Sequence, residues 1–172
     1  VLLLLPVACD VPNGLAVYCL TDAPQSLWLV NELCSAWKRV LKRMYVTSRT
    51  LATLVGPGSC FVGTLAERVF AADRSYMLIG QKQGDNRAPP ALELTAMNFG
   101  PYLMSHGLTR LQSRFQADPS DLDRAKAKIG EAIDAEAAET LGLGTFALDD
   151  IDWDDEVRVV LEVGARFSPD SL

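Results

Sequence analysis

A glycine-broken junction between an apolar strand and a helix is where this sequence can do chemistry. Thr50-Leu51-Ala52-Thr53-Leu54-Val55 is short and apolar, the pattern of a buried strand. Gly56-Pro57-Gly58-Ser59 breaks it sharply, and Cys60-Phe61-Val62-Gly63-Thr64-Leu65-Ala66-Glu67 follows. Such a break leaves peptide N–H groups unpaired at a helix start, where they can face an anion or a polarised carbonyl oxygen. Gly63 lets a ligand approach the backbone closely; the plainer reading is a tight strand-to-helix turn kept for packing. Glu67 lies one helical turn further on, so its carboxylate can face the same cleft. There it can act as a general acid or base if burial raises its pKa. The alternative is a surface helix residue, or a partner for Arg68 or Arg74. The segment is not a nucleotide-binding P-loop, because no Lys-Ser or Lys-Thr follows the glycines. Nor is it a nucleophile elbow, because Ser59 lacks the flanking glycine spacing and the single histidine, His106, is remote.

The remaining candidates each carry a plain alternative. Cys60 can be a reactive thiolate, but no cation or histidine adjoins it in sequence, and a packing cysteine is the simpler role. Glu93 is a second possible carboxylate if its strand turns it toward the cleft. Asn98 can hydrogen-bond a substrate or cap its own loop. His106 reads as a turn residue rather than a base. The acidic run Asp149 to Glu156 can bind cations or form a solvated helix start, where carboxylates suit the dipole. Lys38, Arg39, Lys42 and Arg43 crowd a helix end, which they cap electrostatically; they can also hold a phosphate.

These residues need a frame to hold them. Val1 to Ala8 and Leu15 to Leu20 read as strands. Asp22, Pro24 and Gln25 form a helix start. Leu27, Val30, Cys34, Trp37, Leu41 and Met44 recur every three or four residues, which is one face of a helix. Phe61 to Ala72 reads as a helix ended near Asp73-Arg74. Ser75 to Ile79 and Ala91 to Thr95 read as strands, separated by a polar Gly80–Pro90 loop. Leu108 to Phe115 is a short amphipathic helix. Pro119-Ser120-Asp121 starts an Ala-rich helical region that Gly130 interrupts and Leu141-Gly142-Leu143-Gly144 ends. Val157 to Val163 reads as a final helix. Strands alternate with helices, so the fold class is α/β.

The chain has 172 residues, 49% hydrophobic and 22% charged. At roughly 100–200 residues per domain this is one domain or part of one. A net charge of −6 argues against a polyanion-binding surface, which needs clustered Lys and Arg; no nucleic-acid partner is expected. Cys9, Cys19, Cys34 and Cys60 form no CxxC pair, so neither a zinc site nor a disulfide framework is expected. Reduced, buried thiols fit a cytoplasmic protein. The apolar stretch at Val1 falls far short of the ~20 residues that span a bilayer, and no membrane partner is expected. The start at Val1 rather than Met reads as a piece of a longer chain.

The strand, the GxCxxGTxxE segment, the helix and Ala71-Ala72-Asp73-Arg74-Ser75-Tyr76-Met77 together resemble the oxyanion-hole segment of the crotonase (enoyl-CoA hydratase) superfamily. Asn98-Phe99-Gly100-Pro101-Tyr102-Leu103-Met104 and Gly107-Leu108-Thr109-Arg110-Leu111 resemble the loop and helix that follow in that fold, and Ala125 to Leu143 its late helices. Within the superfamily, Leu27-Trp28-Leu29-Val30-Asn31-Glu32, Val46-Thr47-Ser48-Arg49, Pro57-Gly58-Ser59-Cys60-Phe61 and Asp149-Asp150-Ile151-Asp152-Trp153 are similar to the benzoyl-CoA-dihydrodiol lyase family. The resemblance runs from about Leu27 to the end of the chain.

The resemblance implies a crotonase-like (ClpP/crotonase) α/β fold, incomplete because the chain matches part of the second of two crotonase-like halves. Residues 1–172 are then a single partial domain. It implies a ring-cleaving carbon–carbon lyase acting on a dihydroxylated or epoxidised, dearomatised benzoyl-CoA. Formate and an aliphatic semialdehyde CoA thioester are released, without a metal or redox cofactor. The parent chain is expected to be a homo-oligomer that binds an acyl-CoA substrate. The implied site residues are Glu67 and Glu93 for acid/base work, and Gly63, Cys60, Asn98 and Gly100 around the substrate. A silent scaffold or dimerisation domain, and an enoyl-CoA hydratase or isomerase, are the alternatives. The sequence departs from the superfamily pattern at three places. Val62-Gly63-Thr64 replaces a triple glycine, Ala96 stands about where a second glutamate is expected, and His106 stands where glycine is frequent.

Overall fold

Apolar runs too short to be helices, joined by helical crossovers, pair side by side in the same direction. The computed structural model describes residues 2–4, 28–47 and 50–166. Its first sheet has four strands in the order β1-β2-β4-β7: β1 (Leu2–Leu4), β2 (Thr50–Val55), β4 (Arg74–Leu78) and β7 (Phe146–Leu148). All its pairings are parallel, Leu2 opposite Thr50, Ala52 opposite Arg74 and Tyr76 opposite Phe146. A second, smaller sheet joins β3 (Cys60–Val62) in parallel to β5 (Ala91–Glu93), and β5 antiparallel to β6 (Ala132–Ile133). The strand expected at Leu15 to Leu20 and the helix start at Asp22, Pro24 and Gln25 lie outside the described residues.

Six helices surround these sheets among the described residues. They are α1 (Trp28–Tyr45), α2 (Glu67–Ala71), α3 (Arg110–Arg114), α4 (Pro119–Ala127), α5 (Ala135–Thr140) and α6 (Asp150–Arg166). Local chemistry sets their starts. Thr109 and Gln112 cap α3 reciprocally, each side chain bonding the other's backbone N–H. Asp118 accepts from Ser120 N–H ahead of Pro119, and Asp134 from Ala137 N–H. The main core packs Phe61, Phe70, Leu92, Leu111 and Phe115 together. The expected apolar face of α1 is the inward one: Leu41 is buried, with Trp37 and Met44 packed beside it against Met97 and Tyr102.

Two helix expectations are corrected. The helix expected over Phe61–Ala72 is only α2, because Cys60–Val62 joins a sheet first. Gly63 makes the difference. At φ +51° it leaves the strand through a conformation that other residues rarely adopt. Leu65 N–H then bonds Val62 O and Ala66 N–H bonds Gly63 O, each at 3.0 Å, and this turn delays the helix. The final helix starts at Asp150, well before Val157, since Asp149 Oδ1 accepts from the N–H groups of Ile151 and Asp152. The acidic run is therefore the first turns of α6, where Asp150 also accepts Gln83 N–H and Asp154 pairs with Lys82. The strand β7 was not anticipated; it is three residues long.

Asp73 locks the entry to β4. Its N–H donates to Leu51 O at 2.9 Å, and its Oδ2 accepts Leu51 N–H at 2.8 Å. Ser75 and Thr145 exchange backbone-to-hydroxyl bonds in the same way, and Phe146 stacks on Tyr76 at 5.2 Å. Trp153 secures α6 to the sheet with Ala52, Tyr76 and Leu78. A Cβ on Gly56 would lie 3.1 Å from the Trp153 ring, so glycine there is what admits the indole. Trp153→Ala is expected to cost about 3–5 kcal/mol of unfolding free energy, measured by denaturant melts. A loss below about 1 kcal/mol would mean that α6 is held elsewhere.

Candidate functional site

Glu67 begins α2, among apolar neighbours. The sequence permitted a surface position with Arg68 or Arg74 as partner. The structure corrects this: Glu67 is 1% exposed, and its partner is Arg110. Burying a carboxylate is costly unless each oxygen is hydrogen-bonded and the charge is matched. Both conditions are met. Oε2 accepts from Arg110 Nη1 at 2.8 Å, and Oε1 accepts from Asn98 Nδ2 at 2.8 Å. Arg110 is itself 3% exposed and donates Nη2 to Leu41 O at 2.8 Å. Burial pushes the Glu67 carboxyl above its ordinary value, against the opposing pull of the Asn98 and Arg110 hydrogen bonds and the Arg110 charge.

Asn98 sits in a short 3-10 turn, Ala96–Phe99, just after β5. Its Nδ2 donates both to Gly63 O and to Glu67 Oε1, each at 2.8 Å, and its Oδ1 accepts Thr95 N–H at 3.0 Å. The amide is thus fully used within the protein. Gly63 is used as well, because its N–H donates to Glu93 O at 3.1 Å. That bond extends the β3–β5 ladder, in which Val62 stands opposite Glu93. It spends the Gly63 N–H that an oxyanion would need.

The other candidates fall around this network. Glu93 is half-buried on β5, between the buried Leu92 and Leu94. Alternation along a strand puts its side chain on the opposite face from theirs. Both Glu67 oxygens are already bonded elsewhere, so the two carboxylates do not share a proton. Cys60 lies on β3; its side chain lies outside the described ones. Gly100 ends the 3-10 turn and is exposed. His106 is exposed, with Nδ1 accepting Leu108 N–H at 3.2 Å and its ring edge-on to Tyr45. This is the turn role expected of it. Among the described residues no group of side chains is arranged to hold a metal ion.

Sequence reasoning missed Arg110, Thr64 and Tyr102 as members of the site. The Thr64 and Tyr102 hydroxyls lie 2.9 Å apart, both buried, next to the Glu67 network. Arg110 did carry a signal. It sits beside Leu111 at the start of a short amphipathic helix, and a guanidinium on the buried face of such a helix needs a carboxylate. Glu67, close to the buried Ala66 and Val69, has the matching need.

The comparisons with known proteins accord with this architecture. No family model matches the chain. The benzoyl-CoA-dihydrodiol lyase of Aromatoleum evansii is 43% identical over 151 residues, which cover 88% of this chain and 26% of that protein. The enoyl-CoA hydratase of Bacillus anthracis superposes with a TM-score of 0.57 at 18% identity, covering 82% of this chain and 49% of that one. The enoyl-CoA hydratase of Bacillus halodurans gives 0.57 at 14% identity, covering 88% and 55%. The chain therefore spans about a quarter of the curated relative and about half of these solved structures. Among the described residues no helix is long and apolar enough to cross a membrane. With this architecture and this sequence likeness, the chain has the crotonase (enoyl-CoA hydratase) fold and is similar to benzoyl-CoA-dihydrodiol lyase over part of that protein's length.

Proposed function

We propose that the protein containing this chain is a ring-cleaving carbon–carbon lyase of the benzoyl-CoA-dihydrodiol lyase type, and that this segment supports the chemistry rather than performing it. The substrate is a dihydroxylated or epoxidised, dearomatised benzoyl-CoA; the products are formate and an aliphatic semialdehyde CoA thioester. The likeness to the Aromatoleum evansii enzyme supports the lyase reading. Such a reaction needs two N–H groups on the thioester oxygen as negative charge builds up, and a carboxylate that moves a proton to or from water. It needs no metal or redox cofactor. The parent protein is read as a cytoplasmic homo-oligomer, and this segment as part of its second crotonase-like half. The exposed Leu29, Leu33 and Val40 on α1 suit association.

One observation carries the supporting role: both oxygens of Glu67 are bonded inside the protein, to Asn98 and to Arg110, and the residue is buried. A general acid or base must reach the proton it moves. Here the carboxylate ties α2 to the 3-10 turn after β5 and to α3 instead. Glu67→Gln in the full-length parent is expected to leave turnover, read as formate release, within about threefold. A loss of about 100-fold or more in a folded variant is the size expected of a true acid or base and would overturn the supporting role.

The same burial has a pH signature. The native carboxyl titrates above its usual 4.5, so the native state binds more protons than the unfolded chain from pH 4.5 upward. This group's contribution therefore lowers stability as pH rises through that window. Denaturant melts across it are expected to show a falling slope in the parent sequence that Glu67→Gln removes. An identical slope in both would place the titration elsewhere.

A further inference from the structure

A cleft of about 250 Å³ opens where the end of α1 meets α3. Its polar walls are Tyr45, Asp73, Arg110, Ser113 and Arg114; Phe70 and Met104 supply apolar surface. The cleft is lined by two guanidinium groups and one carboxylate. Arg110 is neutralised by Glu67, but its Nε is buried without an acceptor. Arg114 enters no ion pair among the described residues, and donates Nη1 only to the carbonyls of Gly142 and Leu143, at 3.3 and 2.7 Å. Burial pulls its guanidinium below the ordinary value, as expected for a cation shielded from water without a counter-ion. Asp73 lines the same cleft but forms no ion pair with Arg114 among the described residues; its Oδ2 accepts Leu51 N–H.

We propose that this cleft binds a small organic monocarboxylate, its carboxylate on the Arg114 guanidinium and the hydroxyls of Tyr45 and Ser113, its apolar body against Phe70 and Met104. A guanidinium and two hydroxyls match a carboxylate in charge and hydrogen-bond type. The negative charge of Asp73 opposes a dianion such as phosphate about twice as strongly as a monoanion. The apolar walls favour a hydrocarbon body over a bare ion. The cleft shares Arg110 with the Glu67 network but stands independently of the lyase reading.

The test is a titration of the 172-residue chain with isovalerate, followed by amide chemical shifts. Isovaleramide serves as the neutral isostere and inorganic phosphate as the competing anion. Saturable isovalerate binding in the millimolar range is expected, about tenfold tighter than either control. Arg114→Gln is expected to weaken it about tenfold, and Tyr45→Phe combined with Ser113→Ala about threefold. The double variant leaves the Arg114 contacts to Gly142 and Leu143 intact, so it remains informative if Arg114→Gln fails to fold. Equal binding of the amide, unchanged affinity in the folded double variant, or no saturation by about 50 mM would overturn the proposal.

Discussion

The buried pair between Glu67 and Arg110 is the constraint around which the rest of the site is arranged. Alone, each charge would cost several kcal/mol to remove from water. Together, with Asn98 on one carboxylate oxygen and Leu41 O on one guanidinium nitrogen, they fix four segments to one another. The segments are α1, α2, the 3-10 turn after β5 and α3. Breaking such a pair by removing one partner costs more than the pair contributes, because an unmatched charge remains. The geometry is thus held in place by the penalty for leaving it.

The backbone reinforces the same arrangement. Gly63 turns the chain between β3 and α2, and its two peptide groups are both taken, the N–H by Glu93 O and the carbonyl by Asn98. Around Gly63 the backbone forms a sheet ladder and a hydrogen-bonded turn. An oxyanion hole needs N–H groups aimed at an empty position. The Gly63 N–H is aimed at a carbonyl instead. Under the proposed reading, the superfamily's fold is retained in this segment while the groups that chemistry would use serve to hold helices together.

Much of the frame was legible from residues alone. The strand at Thr50–Val55 coincides with β2, because a continuous apolar run flanked by breakers suits a parallel strand covered on both faces. The inward face of α1 followed from its three- and four-residue spacing. The Phe61–Ala72 reading failed at a definite place. Cys60-Phe61-Val62 is apolar under either periodicity, and only pairing with β5 decides for the strand. Glu67 was legible as a group worth attention, but its partner was not. Arg68 and Arg74 are near in sequence, whereas Arg110 is 43 residues away and arrives through the fold. Neighbours in sequence are poor guides to the partner of a buried charge.

A double-mutant cycle on Glu67→Gln and Arg110→Met, read as unfolding free energies of the two single variants and the double variant, tests the central claim most directly. If the pair is the hub of this structure, the effects of the two single variants are strongly non-additive, with a coupling of about 3 kcal/mol between the two positions. Additive losses, with a coupling below about 0.5 kcal/mol, would contradict the account and leave the two charges as independent residents of the core.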